Sequence, residues 1–150
     1  MDDLDPILIQ VTIPLPIPMI FSALVDPAQL AQWLCREAVV EARTGGMYRL
    51  VFDGDPAFTS EGKVTHFTQD VDLGFTWAGP APFAALLNVP EPQTRVYVRL
   101  QESPEGIDVT LEHDGWKGGD AWEDARSWHF HFWDERLQRL KEHLIRVAYG

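Results

Sequence analysis

A periodic stripe near the C-terminus constrains the fold of this chain more than any other feature of its sequence. Its members, mostly apolar, recur every three or four residues and therefore share one face of an α-helix: Trp122, Arg126, His129, Trp133, Leu137, Leu140, Leu144 and Val147. The segment from Trp116 to Trp133 also holds four of the six tryptophans. The pattern predicts a long helix with an aromatic head and a leucine-rich tail, which needs an apolar partner from the same chain.

The residues before this helix show the two-residue alternation of β-strands, apart from two short helical stretches. Alternation predicts strands at 7–13, 39–43, 47–52, 62–67, 71–77, 94–101 and 107–113. Prolines at 14, 16 and 18 end the first strand, and Asp26-Pro27 divides the helical residues that follow into two helices. Connections of hairpin length favour antiparallel pairing. We therefore expect an α+β fold in which a curved antiparallel sheet of six to seven strands wraps around the long C-terminal helix.

Length, charge and cysteine content exclude several classes of protein. The 150 residues predict one domain, 1–150, which can bury roughly 70% of its unfolded surface. A net charge of −11 argues against nucleic-acid partners and anionic membranes. The sequence has no apolar run of about 18 residues, no second cysteine to pair with Cys35 and no basic flank of a secretion signal near Met1. We expect a cytoplasmic protein without membrane insertion.

Short motifs occur in a characteristic order along nearly the whole chain. They are Ile13, Pro16, Phe21, Leu24, Asp26-Pro27, Leu30 and Trp33, then Gly45-Gly46, Gly62 with Val64, Leu73-Gly74-Phe75-Thr76-Trp77, Val109-Thr110-Leu111-Glu112-His113, and Trp133, Leu137, Leu140 and Leu144. In this the chain resembles the START-like (SRPBCC, helix-grip) superfamily, and within it the branch of activators of the heat-shock-protein-90 ATPase. That family usually has glycine before the tryptophan of the last helix, where this chain has Phe132.

The resemblance implies a single helix-grip domain with a cavity between sheet and helix, and it does not imply one reaction. Relatives include hydrophobic-ligand binders, lipid carriers, polyketide cyclases and dehydratases, and co-chaperone domains, so fold alone does not choose the function. Residues 78–92 contain four prolines and look longer than the usual link between these strands. We expect them to form either a lid or an interface.

Strand parity and the helical stripe together predict the residues that line such a cavity. If Phe75 and Trp77 face the helix, alternate residues of neighbouring strands do so too. The predicted ligand-binding set is Trp33, Val64, His66, Phe75, Trp77, Val96, Val98, Val109, Leu111, His113, Trp122, Arg126, His129 and Trp133. The alternative is that these side chains simply fill the core, as buried aromatic residues ordinarily do.

The histidines are the candidates for chemistry. His113 and His129, with Arg126 one turn before His129, could form a polar spot that exchanges protons with a ligand carbonyl or enol. Alternatively, each histidine satisfies a local hydrogen bond. His66, His113 and His129 would offer three imidazoles to zinc or iron. However, no helical His-x-x-x-His or Glu-x-x-His motif supports that site, so no metal and no cofactor is predicted.

Three functional hypotheses follow. The first is non-catalytic binding of a small hydrophobic or aromatic ligand between the sheet and the C-terminal helix. The second is a cyclase- or dehydratase-like enzyme that uses His113 or His129 as acid or base. The third is a co-chaperone-like interaction module, which requires an exposed apolar patch such as one around residues 83–87. The same patch could support a homodimer, whereas a chaperone partner has no independent support in the sequence.

Overall fold

The computed structural model describes residues 2–150 and contains seven strands and four α-helices in that part of the chain. In chain order these are β1 (Ile7–Ile13), α1 (Ile17–Val25), α2 (Pro27–Trp33), β2 (Glu37–Val40), β3 (Met47–Phe52), β4 (Phe58–Thr68), β5 (Asp72–Trp77), α3 (Ala84–Leu87), β6 (Thr94–Ser103), β7 (Gly106–Asp114) and α4 (Asp120–Tyr149). A 3₁₀ turn, Ala81–Phe83, precedes α3. The α+β class, the two short helices after the first strand and the long C-terminal helix are as the sequence predicts.

All seven strands form one antiparallel sheet, in the order β1-β7-β6-β5-β4-β3-β2. Strands β2 to β7 follow one another as a meander because short turns connect most of them. The first strand instead pairs with the last, so that Ile9 lies opposite Leu111. The free edges of the sheet are therefore β1 and β2.

The second and fourth strands depart most from the ranges that alternation predicts. The second strand spans Glu37–Val40 rather than 39–43, because Glu41 leaves the ladder and closes a turn. Its carboxylate accepts the backbone N–H of Met47 at 2.8 Å, and Gly45 adopts a φ of +85°. The fourth strand begins at Phe58 rather than at residue 62, since β3 and β4 stay paired as far as Phe52 opposite Phe58.

Helix α4 buries most of its predicted stripe against the inner face of the sheet. The buried residues are Ala125, His129, Trp133, Leu137, Leu140, His143 and Leu144. Each fully buried leucine contributes roughly 1.5–3 kcal/mol to stability through removal of apolar surface from water. Burial is incomplete at the two ends of the stripe: Trp122 is half-buried where it packs on the core, and Val147 is 60% exposed. None of the helices in residues 2–150 is both long and apolar enough to cross a membrane.

Asp26 organises the junction between α1 and α2. It ends α1, and its carboxylate accepts the backbone N–H of Ala28 at 3.1 Å to cap α2, whose first residue is Pro27. Two carbonyls at the end of α1 are satisfied by side chains from other elements. The Trp33 indole donates to the carbonyl of Ala23, and the Tyr48 hydroxyl donates to that of Leu24. These bonds fix the helical pair against the sheet.

Residues 78–92 form a folded segment whose apolar side chains are partly buried. Gly79 and Asn88 close the segment with two reciprocal hydrogen bonds of 2.8 and 3.1 Å. Leu87 is buried, while Phe83 and Leu86 are half-buried. Residues 83–87 therefore expose only part of the apolar surface that the interaction hypothesis requires, and that hypothesis stays a prediction.

Candidate functional site

Most side chains predicted to line a cavity pack against one another in the interior. Eleven of the fourteen are at most 5% exposed: Trp33, Val64, Phe75, Trp77, Val96, Val98, Val109, Leu111, His113, His129 and Trp133. The ring centroids of Trp77 and Trp133 are 5.0 Å apart, and those of Trp77 and His129 are 5.9 Å apart. Aromatic rings therefore occupy the space between sheet and helix where the sequence predicts a cavity.

His66 does not face the interior, and that part of the prediction is wrong. The register of β4 against β5 shifts between Val64 and His66, which is a β-bulge at Thr65. One extra residue reverses the alternation, so Phe67 turns inward and its ring packs on Phe21 at 5.7 Å. His66 is exposed on the outer face and contacts Tyr97. It cannot join His113 and His129 in a metal site.

Arg126 and Trp122 also lie outside the predicted site. The Arg126 guanidinium donates to the backbone carbonyls of Asp5 at 2.7 Å and Pro6 at 3.1 Å, and so attaches the N-terminal segment to α4. Trp122 is half-buried, with its ring edge-on to Trp116 at 6.3 Å. The predicted polar spot of Arg126 with the two histidines is not assembled.

His129 is held in one tautomer by two hydrogen bonds. The indole N–H of Trp77 lies 2.9 Å from His129 Nε2, and His129 Nδ1 lies 2.7 Å from the carbonyl oxygen of Ala125. An indole nitrogen can only donate, so Nε2 must accept. Nδ1 then carries the proton and donates to Ala125. Both ring nitrogens are occupied, and the imidazole is neutral.

His113 is fixed in the same way, with the roles of its nitrogens exchanged. Trp133 donates to His113 Nδ1 at 3.0 Å, and His113 Nε2 lies 3.0 Å from the Thr94 hydroxyl oxygen. Nε2 therefore carries the proton and donates to Thr94. Trp116 adds a bond from its indole to the His113 carbonyl at 2.8 Å. Two histidines and three tryptophans thus form two buried hydrogen-bonded groups that meet where the ring centroids of His113 and His129 lie 5.5 Å apart, and the two groups together are here called the Trp–His network.

Burial keeps both imidazoles of the network uncharged near neutral pH. It lowers the pKa of His129 to about 4, against a smaller opposing effect of the hydrogen bond to Ala125. Burial also lowers the pKa of His113 well below its ordinary value, and the nearby His129 adds to the effect. Neither ring has a free nitrogen to exchange protons with a ligand, which favours the local hydrogen-bond interpretation over acid–base chemistry. Across residues 2–150, no three His, Cys, Asp or Glu side chains are grouped to hold a metal ion.

An open groove lies at one end of the helix–sheet interface, between the β3–β4 turn and the outer side of α4. Its volume is about 530 Å³. It is lined by Phe52, Asp53, Gly54, Asp55, Pro56, Phe58, Trp128, His131, Phe132, Glu135, Arg136 and Arg139, and is here called the aromatic groove. It contains none of the residues that sequence patterns predict for the site.

Two stacked aromatic pairs form the apolar part of the aromatic groove. Phe52 and Phe58 stack across the β3–β4 hairpin, with centroids 4.4 Å apart and planes inclined by 16°. Trp128 and Phe132 stack along one turn of α4, at 5.1 Å and 17°. The two pairs meet where Phe132 lies edge-on to Phe52 at 5.4 Å. Phe58, Trp128 and Phe132 are half-buried and so present ring surface to solvent.

The rim of the aromatic groove contains charges of both signs. The guanidinium of Arg136 lies 4.6 Å from the centroid of Phe132, a cation–π contact, and donates to the Leu34 carbonyl at 2.9 Å. Glu135 accepts from Arg136 at 3.0 Å and from Arg139 at 2.6 Å. Asp53 is exposed on the opposite side. The rim is thus fixed on the helix side and open on the turn side.

The groove residues escape sequence reasoning for identifiable reasons. Trp128 and Phe132 each come one residue before an inward-facing ring of α4, so helical periodicity assigns them to a flank. Phe58 follows a turn signal at which alternation had not yet begun. One signal was present, because Phe132 replaces the glycine usual in the resembling family. Bulk at that position points to packing peculiar to this chain.

Comparisons with known proteins give one family and a consistent fold. The family model described as "Activator of Hsp90 ATPase homolog 1-like protein" matches residues 14–144. No match to a curated protein was found. A crystal structure of a Mesorhizobium loti protein is similar, with a TM-score of 0.76, 17% identity and coverage of 94% of this chain and 97% of that one.

Two solution structures resemble the chain to a similar degree. A Bacillus halodurans protein gives a TM-score of 0.74 at 24% identity, covering 96% of this chain and 99% of that one. The Aha1 dimer from Colwellia psychrerythraea gives 0.74 at 20% identity, covering 98% of this chain and 100% of that one. At such identities, the structural likeness establishes the shared fold.

Proposed function

The chain belongs to the family of activator of Hsp90 ATPase homolog 1-like proteins, and from that premise we propose that it binds a small aromatic or hydrophobic ligand in the aromatic groove. The helix-grip fold brings the ligand to the boundary between the curved sheet and the C-terminal helix, as the sequence predicts. The proposed contacts are different, however. They are the rings of Phe58, Trp128 and Phe132 at the mouth of this boundary rather than the buried rings of the interior.

The observation that supports this proposal is the pair of aromatic stacks facing solvent in one concave site. Ligand sites are typically concave, roughly 300–1,000 Å³ in volume, and mainly apolar with a few polar groups at the edge. The aromatic groove, at about 530 Å³, falls within that volume range, and because half of its twelve lining residues are Asp, His, Glu or Arg it is more polar than a typical ligand site. Covering its rings with a flat ligand removes apolar surface from water at roughly 25 cal/mol per Å². Charged side chains at the rim would orient the ligand.

The two other hypotheses have less support. Acid–base catalysis by His113 or His129 would require one ring nitrogen to be released from the Trp–His network. At residues 83–87, a co-chaperone-like interaction surface would offer a partner only the half-buried Phe83, Ala84 and Leu86 and the exposed Ala85. Homodimerisation remains a prediction, and the dimeric state belongs to the Colwellia psychrerythraea protein.

Thermal unfolding with a panel of aromatic probes tests the proposal. A ligand at about ten times its Kd stabilises the folded state by about 1.4 kcal/mol, which raises the melting temperature by a few degrees. Phe58→Ser should abolish the shift, because it removes one wall of the aromatic groove. Phe130→Ser is the matched control, since Phe130 is 37% exposed on α4 and does not line the groove.

Two results would contradict groove binding. One is that no flat aromatic probe in the panel raises the melting temperature of the native protein. The other is that Phe58→Ser and the native protein shift equally, which would place the ligand elsewhere. An equal loss of the ligand-induced shift in Phe58→Ser and in Phe130→Ser would likewise exclude the aromatic groove as the binding site.

A further inference from the structure

We propose that Phe132 limits the depth of the aromatic groove, so that a flat aromatic molecule bound to the native protein contacts Trp128 and does not reach the buried Trp77. The inference rests on the proposed function and adds to it the residue that determines how deep the ligand lies. It follows from the position of Phe132, whose ring lies between the open groove and the buried Trp–His network.

Phe132 contacts aromatic rings on both of its sides. Towards the groove it stacks on Trp128 at 5.1 Å and lies 6.3 Å from Phe58. Towards the interior its centroid is 6.0 Å from Trp77 and 5.1 Å from Trp133. The first two rings are half-buried and the last two are at most 1% exposed. The ring of Phe132 therefore separates the solvent-exposed aromatic groove from the buried Trp–His network.

Three rings cover Trp77 on the groove side, and Phe132 is the one whose removal would open a passage. Phe52 and Phe58 lie 5.8 and 6.0 Å from Trp77. They stack on each other across a hairpin, so each holds the other in place. Phe132 comes instead from α4, and it meets Phe52 of the sheet edge-on at 5.4 Å without stacking on it. Truncating it would join the groove to the surface of Trp77 without disturbing the hairpin.

Arg136 keeps this wall closed in the native protein. Its guanidinium lies against Phe132 at 4.6 Å, and its Nε donates to the Leu34 carbonyl at 2.9 Å. The side chain is only 16% exposed and also pairs with Glu135. Because these bonds hold the guanidinium, Phe132 is clamped between Trp128 and Arg136 and does not simply rotate away when a larger ligand arrives.

The test compares 2-naphthol, with two fused rings, and 1-hydroxypyrene, with four. Binding is measured by titration followed through the indole N–H resonances of the tryptophans. The resonances of Trp77 and Trp128 are assigned from spectra of Trp77→Phe and Trp128→Phe. In the native protein, both probes should shift the Trp128 signal and leave that of Trp77 nearly unchanged.

In Phe132→Ala, 1-hydroxypyrene should gain about tenfold in affinity and should now shift the Trp77 signal as well. Phe130→Ala is the matched control on the same helix and should behave like the native protein. If Phe132→Ala does not fold, Phe132→Leu provides the same comparison with a smaller opening. The dispersed indole resonances report folding in every sample.

Each outcome separates the depth proposal from the proposed function. If the native protein binds 2-naphthol but Phe132→Ala neither gains affinity for 1-hydroxypyrene nor shifts Trp77, the groove binds ligands and the depth proposal is wrong. If the native protein binds neither probe while Phe132→Ala binds 1-hydroxypyrene against Trp77, Phe132 is the wall and native ligand binding is refuted. A shift of the Trp77 signal by either probe in the native protein overturns the depth limit.

Discussion

Acidification from about pH 7 to about pH 4 should destabilise this protein through His129, whose imidazole is buried and neutral. Below its ordinary pKa of 6.5 the histidine of the unfolded chain binds a proton. The folded protein refuses that proton until the pH nears the lowered pKa of about 4. The unfolded state thus binds more protons within this window. The stability is fully present above pH 6.5 and is lost progressively as the pH falls towards 4.

The size of the effect follows from the difference between the two pKa values. A fall from 6.5 to about 4 corresponds to about 3 kcal/mol, at 1.36 kcal/mol per pKa unit. That is a large share of the stability expected of a domain this size, roughly 5–15 kcal/mol. His113 acts in the same direction, because burial also lowers its pKa.

Urea unfolding followed by circular dichroism measures the effect at several pH values between about 7 and about 4. The comparison is between the native protein and His129→Gln, which keeps a group able to accept the Trp77 indole but does not titrate. From about pH 7 to about pH 4, the unfolding free energy of the native protein should fall by about 3 kcal/mol more than that of His129→Gln. His131→Gln is the control, since His131 is exposed on the same helix. Its difference from the native protein should stay within about 0.5 kcal/mol.

A constant difference between the native protein and His129→Gln across this pH range would refute the reasoning. It would mean that the folded protein accepts a proton on His129 as readily as the unfolded chain does. The indole hydrogen bond to Nε2 could then not be maintained as described. An equal change in the difference between the native protein and His131→Gln would also refute it, because an exposed histidine cannot report on the Trp–His network.

Three further predictions concern the network, the segment 78–92 and the free thiol. Trp77→Phe leaves His129 Nε2 without its donor and should lower the unfolding free energy in urea by about 2–4 kcal/mol; a loss below about 0.5 kcal/mol would contradict this. A Cβ at Gly79 would lie 2.6 Å from Leu87 Cδ1, so Gly79→Ala should lower the unfolding free energy by about 1–3 kcal/mol and lower the melting temperature. An unchanged melting temperature would show that the segment moves aside at little cost. Burial raises the pKa of Cys35 to about 11, so iodoacetamide should alkylate the folded protein at least about tenfold more slowly than the urea-unfolded chain at neutral pH, and equal rates would count against this.

Periodicity was enough to predict the seven strands, the two short helices after β1, helix α4 and most of the core of this protein, but not α3. Alternation placed Phe75 and Trp77 on the inner face, and the helical stripe placed His129 and Trp133 opposite them, because burial on one side leaves a direct trace in sequence. His66 failed because a bulge changes the parity of a strand, and no residue type announces a bulge at Thr65.

Sequence patterns cannot distinguish a ligand cavity from a core that is filled by side chains. The same buried rings fit either description, and the outcome depends on whether indoles and imidazoles meet at hydrogen-bonding distance. The aromatic groove was missed for a related reason. Phe58 and Phe132 are far apart in the chain and come together only when the β3–β4 turn folds over α4.

The pairing of β1 with β7 determines how late the sheet can be completed during synthesis and folding. Ile7 pairs with His113, so more than a hundred further residues must be synthesised before the first strand has its partner. Contacts of such separation slow folding, since the chain must lose the entropy of a long loop before the pair forms. During synthesis, Ile7, Ile9, Val11 and Ile13 are consequently an apolar strand without a neighbour. This interval is when the chain is most vulnerable to self-association, and a chaperone that shields nascent strands would act there.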